Sequence, residues 1–571
     1  MSTALEAASL IMIPTSYSDG LLASAKPNDG AGDFTFSRGS NTSATRVNAD
    51  GNIEKGYENL LLQSNSFTTT PWVQVSILPP TSGQTGYDGS TDAWYFEKTG
   101  AFGRLQQSIS TSGVQTYSVY LKAKDSSWVN IEIHGASTSR QYFDLTAPIE
   151  TAKGSSNNIV SSSIEDAGNG WRKCSITYEG SKTFLFIFIA EGNGQVSGTT
   201  GSLYIQDAML NQELVAYPYV ETTTAPVAAG ILEDTPRIDF SGGDQSLLLE
   251  SSRTSLIKYS EYFGVGWIQD NLSIITNDAT SPEGLQNATK VYPTSSGNYR
   301  NIRLSPSQPS SEQITISIFA KAAELDHLVL IDYDGSGVGI DFNLSTGVAT
   351  DSATTDFDFV DMVDYGNGWY RCIATATNPY FYWILSDNGG LSVTANGTDG
   401  LYIYGAQAEQ GSYPTSYIPT YGVSQTRLVE TIDRLILPES LGTEFTIFFD
   451  TELFQSGNGL LIFEDVNNAE VYKFYSYSNH YDILNLQNGQ YLVKTDAAPN
   501  GKIALSQSGS TIKIYVNGQE KTKAGAVGNT TEITKFRINQ TSVGSNICLL
   551  NQMIIFPTAL SDDECITLTT I

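Results

Sequence analysis

The chain has 571 residues, 60 of them acidic and 31 basic, for a net charge of −29. A field of that sign repels a phosphate backbone and an anionic bilayer, which argues against nucleic acid and membrane surfaces as partners. No run approaches the ~20 apolar residues of a membrane-spanning helix, so no membrane insertion is expected.

Charged residues make up only 16% of the chain, below the globular norm of about 25%. Ser, Thr, Asn, Gly and Tyr fill the difference, a mix suited to short strands and tight turns. The expectation is an all-β protein of roughly three to five domains. Four cysteines are too few for a disulfide framework.

In chain order, residues 1–54 hold one short strand pattern, Asp33-Phe34-Thr35-Phe36-Ser37-Arg38. Its surround is too polar for a core and reads as an extended N-terminal arm docked on a neighbour. The apolar run Leu10-Ile11-Met12-Ile13 is short and lacks a basic flank, so no secretion signal is read there.

Residues 55–225 alternate short apolar runs with turn residues. Gly168-Asn169-Gly170 tolerates positive φ and launches a strand at Trp171. A linker is placed at 226–255, and residues 256–432 then repeat the pattern. Gly366-Asn367-Gly368-Trp369-Tyr370-Arg371-Cys372 follows Gly168-Asn169-Gly170-Trp171-Arg172-Lys173-Cys174 at an offset of 198 (372 − 174). At nearly the same offset, Thr315–Lys321 follows Thr116–Lys122, and Leu401-Tyr402-Ile403 follows Leu203-Tyr204-Ile205. Leu256–Phe263 follows Leu60–Phe67, with Trp267 and Trp72 close behind. Matches in one order at a near-constant offset mark two copies of one domain, each a β-sandwich or jelly roll. Trp171 and Trp369 read as core anchors, Cys174 and Cys372 as buried thiols.

Residues 433–571 do not share the repeat. Lys513–Val516 running into Asn517-Gly518 is a hairpin signal, and 553–564 reads as a strand followed by a polar turn or short helix. This is a third sandwich.

Catalytic constellations are missing. His134, His327 and His480 fall in different domains without metal-ligand spacing, and neither a phosphate loop nor a Gly-x-Ser-x-Gly elbow occurs. Two carboxylates would suffice for a glycosidase. Yet Asp144, Asp166 and Asp364 sit beside Gly, Asn or Thr, where turns account for them, and a non-enzyme without cofactor is expected. Asp332-Tyr333-Asp334-Gly335-Ser336-Gly337 matches the first half of an EF-hand loop, but position twelve is Asn343, not the required Glu. A hairpin turn is favoured there; a Ca2+ site on Asp332, Asp334 and Ser336 is the alternative.

Sugar rings stack on exposed aromatics flanked by polar groups. In Tyr380-Phe381-Tyr382-Trp383, strand alternation sends Tyr380 and Tyr382 to one face and Phe381 and Trp383 to the other, so the two tyrosines are glycan-binding candidates, with plain packing or a subunit contact the alternative. The equivalent run in the first copy, Phe184–Ile189, lacks phenols and reads as covered on both faces. Tyr475, Tyr477 and Tyr481, near Asn479, His480 and Asp482, form either a lectin-like rim or a packing hairpin.

Several of these stretches resemble a known group. Phe34–Asn48 through Gly51-Asn52-Ile53-Glu54 resembles the N-terminal module of structural proteins from tailed phages, notably those infecting Bacteroidetes. Pro236–Gly243 with Ser246–Thr254 is similar to a second signature of that group. Leu401–Glu409 with Tyr413–Thr420 resembles the closing strand of phage carbohydrate-binding-like jelly rolls, partly kept in the first copy at Leu203–Leu210 and Tyr217–Val220. Residues 433–571 are similar to laminin-G/concanavalin-A-like domains through Ile512–Gly518 and Ala559–Glu564.

The resemblance implies a virion surface protein, a head fibre or capsid decoration, made in the host bacterial cytoplasm and assembled as a homotrimer. It implies that residues 1–54 anchor it to phage capsid or portal/tail proteins; with the aromatic candidates above, the modules either hold host surface polysaccharide or serve as ligand-free spacers of a pure decoration protein. A tail fibre or receptor-binding appendage is the alternative. A capsule-degrading glycoside hydrolase is a further one, weakened by the lack of a short solenoid repeat.

Overall fold

The computed structural model describes the chain except residues 1, 19, 40–42, 305–311, 333–338, 352–356, 378–379, 455–458, 477–480, 495–500, 539–546 and 571. It is all-β: tandem β-sandwiches followed by a C-terminal concanavalin-A/laminin-G-like sandwich.

The two repeats fold alike, strand for strand. In the first, one six-stranded antiparallel sheet runs Ser161–Gly168, Trp171–Glu179, Val114–Ala123, Ser202–Asn211, Ala93–Glu97, Thr81–Gln84. The facing sheet runs Lys153–Asn157, Ser139–Asp144, Trp128–Gly135, Lys182–Ala190, Arg104–Thr111, Val73–Val75. In the second, the sheets run Phe359–Asp364, Trp369–Thr377, Gln313–Ala322, Leu401–Gln410, Ala288–Pro293, Leu272–Ala279 and Val348–Asp351, Ile340–Asn343, His327–Asp332, Phe381–Ser386, Asn301–Leu304, Trp267–Asp270. Each connection in the first copy has its counterpart in the second.

The cores correspond too. Phe67 packs on Trp72 with ring centroids 5.2 Å apart, and Phe263 on Trp267 at 5.0 Å. Cys174 and Cys372 are buried free thiols. Asn169 (φ 52°) and Asn367 (φ 53°) sit in the left-handed region, as the Gly-Asn-Gly pattern requires. Trp171 and Trp369 are buried. Neither belongs to the core between its own two sheets, and Trp369 sits in a cluster with Ile53, Phe319, Tyr404 and Tyr417.

The third sandwich is not confined to the C-terminal segment. Leu10–Met12 pairs with Ile547–Phe556, and Phe34–Ser37 with Thr431–Leu441. Ser246–Glu250 also pairs with Ile547–Phe556 and carries Arg237–Asp239 at its edge. Leu10, Met12, Phe34, Phe36, Leu247 and Leu249 join one core with Phe449, Phe463, Phe536 and Ile555. These strands replace the free arm expected at 1–54 and the linker expected at 226–255. Each is too short to bury a face alone and gains its apolar contacts from strands hundreds of residues away. The two jelly rolls are thus insertions in a sandwich that both chain ends complete. Asn517 and Gly518 both have positive φ at the expected hairpin, and a helix, Asp562–Thr569, follows the last strand with a Ser561/Glu564 capping box.

Two buried ion clusters hold the insertions in place. Lys55 Nζ lies 2.8, 2.7 and 2.5 Å from carboxylate oxygens of Glu213, Glu261 and Glu283, joining the leader to both jelly rolls. Burial pushes Glu213 and Glu261 above the usual carboxylate range, against the pull of the single lysine. In the other cluster Arg237 donates to Glu430, Glu250, the Ser416 hydroxyl and the Thr45 carbonyl. Arg38 and Arg427 pair with Glu430 and Glu250 respectively. Burial alone would raise Glu250, but Arg427 and Arg237 hold it down to about 2. The resemblance-bearing residues Arg38 and Arg237 therefore serve this junction.

Candidate functional site

The most developed open face belongs to the first jelly roll. Strand Lys182–Ala190 lies between Trp128–Gly135 and Arg104–Thr111. Its aliphatic residues Leu185, Ile187 and Ile189 enter the core. Strand alternation therefore turns Phe184, Phe186 and Phe188 outward. Register sets Phe188 between Arg104 and Asn130, Phe186 between Gln106 and Glu132, and Phe184 between Ser108 and His134.

The three phenyl rings form a strip. Phe184 and Phe186 are nearly parallel, with centroids 6.0 Å apart and planes inclined by 17°. Phe188 continues the strip at 5.9 Å. Exposure is graded along it, from 40% at Phe184 to 8% at Phe188. The Arg104 guanidinium lies 5.4 Å from the centroids of both Phe186 and Phe188 and closes the buried end. It donates to Gln106 Oε1 at 3.0 Å and to the Phe102 carbonyl at 3.2 Å. On the other flank the His134 ring meets Phe186 edge-on at 4.5 Å. Glu132 accepts from Asn130 Nδ2 at 2.7 Å, contacts His134 Nε2 at 2.8 Å, and lies 3.6 Å from Arg140 Nη1. A flat apolar strip edged by oriented polar groups suits a pyranose: the strip takes its C–H face and the rims take its hydroxyls.

This face departs from the expectation that Phe184–Ile189 is covered on both sides. The signal was present in the neighbouring strand, where Asn130, Glu132 and His134 alternate with Val129, Ile131 and Ile133. That alternation marks a face too polar to be buried whole.

In the second jelly roll, Trp383 and Leu385 enter the core and Tyr382 turns outward, as the alternation predicts. The Arg303 guanidinium sits 4.8 Å from the Tyr382 ring centroid. Around Tyr382 the outer face is aliphatic: Val329, Ile331 and Ile384 are buried, with Leu391 packed on them. Tyr380 precedes the strand and is exposed; its backbone N–H donates to Asp332 Oδ1 at 2.6 Å. The strands flanking the EF-hand-like segment pair as a hairpin, His327–Asp332 with Ile340–Asn343. Asp334 and Ser336 lie outside the described residues. Among the described residues no group of three or more His, Cys, Asp or Glu side chains is placed to hold a metal ion.

Tyr475 is in the C-terminal sandwich, half-buried, with Lys473 Nζ 5.4 Å from its ring centroid. Tyr481 begins the strand Tyr481–Asn485, which pairs with Glu470–Ser476. Tyr477 and His480 lie outside the described residues. The five tyrosines expected to bind sugar therefore belong to two separate modules.

No family model and no curated protein matches the chain. Among solved structures, the N-terminal CBM22-1-CBM22-2 tandem domain from Paenibacillus barcinonensis Xyn10C is 12% identical, covers 66% of this chain and 100% of its own, and has a TM-score of 0.22. The LG1-3 region of the laminin alpha2 chain is 9% identical over 81% of this chain and 96% of its own, with a TM-score of 0.17. Trypanosoma rangeli sialidase is 12% identical over 88% and 98%, with a TM-score of 0.19. At such scores these structures carry no functional weight; the fold stands on the strand ladders described above.

Proposed function

We propose that this chain is a non-enzymatic surface protein of a bacteriophage particle, a head fibre or decoration, whose sandwich modules hold host surface polysaccharide. The observation that carries the binding role is the Phe184–Phe186–Phe188 strip, open to solvent at one end and flanked by Arg104, Gln106, Glu132 and His134. The particle role is supported by the leader and connector motifs at Phe34–Glu54 and Pro236–Thr254 and by the duplicated modules. Because the leader is folded into the C-terminal sandwich, attachment to capsid or portal proteins uses a folded surface rather than a free arm. The protein is made in the host cytoplasm and assembles as a homotrimer.

Two measurements test this. Antibody labelling of intact particles, viewed by electron microscopy, should decorate the virion surface. Soluble full chain should compete with particles for adsorption to host cells, and Phe186→Ala should compete poorly. Unlabelled particles together with undiminished adsorption would remove the proposal.

A further inference from the structure

We infer that the outer face of the first jelly roll selects an anionic polysaccharide, with sugar rings on Phe184 and Phe186 and acidic groups directed to Arg104 and Arg140. This rests on the glycan-binding reading above and adds a ligand class to it.

Charge is the argument. Over the whole chain acidic residues outnumber basic ones about two to one, 60 to 31. Along this strip the balance turns. Arg104 borders one side and Arg140 the other, around one carboxylate, Glu132. That carboxylate is already engaged by Asn130 and His134, with Arg140 nearby. Arg104, by contrast, donates only to neutral acceptors, Gln106 Oε1 and the Phe102 carbonyl. The Arg237 and Arg427 guanidiniums at the buried junction each face carboxylates within hydrogen-bond distance.

A guanidinium held against two phenyl rings, hydrogen-bonded among the described residues to neutral oxygens and touched by the Glu132 charge only through space, is preorganised for an incoming anion, and its planar fork matches a carboxylate or a sulfate. The site also lies on a molecule whose overall charge repels polyanions. Binding there must therefore come from this local reversal rather than from a general basic field.

The test uses matched polymers and the full chain. Polygalacturonate is compared with its carboxyl-reduced form, and dextran sulfate with dextran, by affinity electrophoresis and calorimetry. The expected result is that at least one anionic polymer binds at least tenfold more tightly than its neutral partner. Arg104→Gln and Arg140→Gln should each weaken it severalfold, with the unfolding midpoint unchanged. Raising NaCl from about 50 to about 500 mM should weaken it further. Whether carboxylate or sulfate is preferred follows from which pair discriminates. Equal binding of a neutral partner, abolished by Phe186→Ala, would overturn the anionic assignment and leave the glycan-binding reading intact. Retention of no polymer would overturn both. Discrimination unaffected by either arginine variant would place the selectivity elsewhere and overturn the inference.

Discussion

Arg237→Met should unlock the C-terminal sandwich. Arg237 is fully buried and spends its guanidinium on Glu250, Glu430, Ser416 and Thr45. Methionine keeps much of the volume but leaves Glu250 and Glu430 facing only Arg38 and Arg427. Removing one partner from such a buried cluster costs about 3–5 kcal/mol. Glu250 gives an independent handle. Its folded value of about 2, against an ordinary 4.5, corresponds to roughly 3 kcal/mol at about 1.4 kcal/mol per pKa unit. Because the folded value is depressed, that stabilisation is present above pH ~4.5 and is lost as pH falls toward 2. The variant should therefore be less stable at neutral pH and lose less on acidification. Calorimetry of the full chain across pH, with hydrogen exchange localising the transition to Ile547–Phe556, measures both effects. A neutral-pH transition within about 1 kcal/mol of the parent, with an unchanged acid limb, would refute the reasoning.

Leu10→Ala removes a fully buried side chain from the core that both chain ends share. It should cost about 2–5 kcal/mol, read as faster amide exchange along Ile547–Phe556, and unchanged exchange there would count against the pairing. The Lys55 cluster should respond to pH in the opposite sense to Arg237. Glu213 and Glu261 are raised by burial, so their contribution is full below pH ~4.5 and is lost as pH rises through the raised folded values. Glu213→Gln should flatten this loss with rising pH in pH-dependent calorimetry, whereas an unaltered pH dependence would assign it to other groups. Arg303→Ala strips the cation from the Tyr382 ring and should cost about 0.5–1 kcal/mol in chemical denaturation, and an unchanged midpoint would count against the contact.

The repeated modules were legible because their evidence is local and doubled. The Gly-Asn-Gly-Trp turn, the Phe-to-Trp spacing and the paired closing strands each recur, and each maps to the same place in both sandwiches. The leader was harder to place. Phe34 and Phe36 alternate with Thr35 and Ser37 as a half-buried strand should, but four residues do not name a partner, and theirs lie near residue 431. The same holds for Leu10–Met12, whose partner strand is Ile547–Phe556. At the site, phenols flanked by polar groups are the plainest sugar-binding signal in the sequence, and they point to Tyr380 and Tyr382. The strip of Phe184, Phe186 and Phe188 is hidden in the sequence because six apolar residues in a row resemble a strand covered on both faces. Only the polar alternation of the adjoining strand distinguishes the two cases.

The most direct measurement is calorimetric titration of the full chain with purified host surface polysaccharide, parent against a Phe184→Ala/Phe186→Ala pair. Saturable binding by the parent, weakened at least about tenfold in the pair with both proteins folded, is the predicted result. Equal affinities, or no binding by the parent, would contradict a sugar-binding role for the first jelly roll.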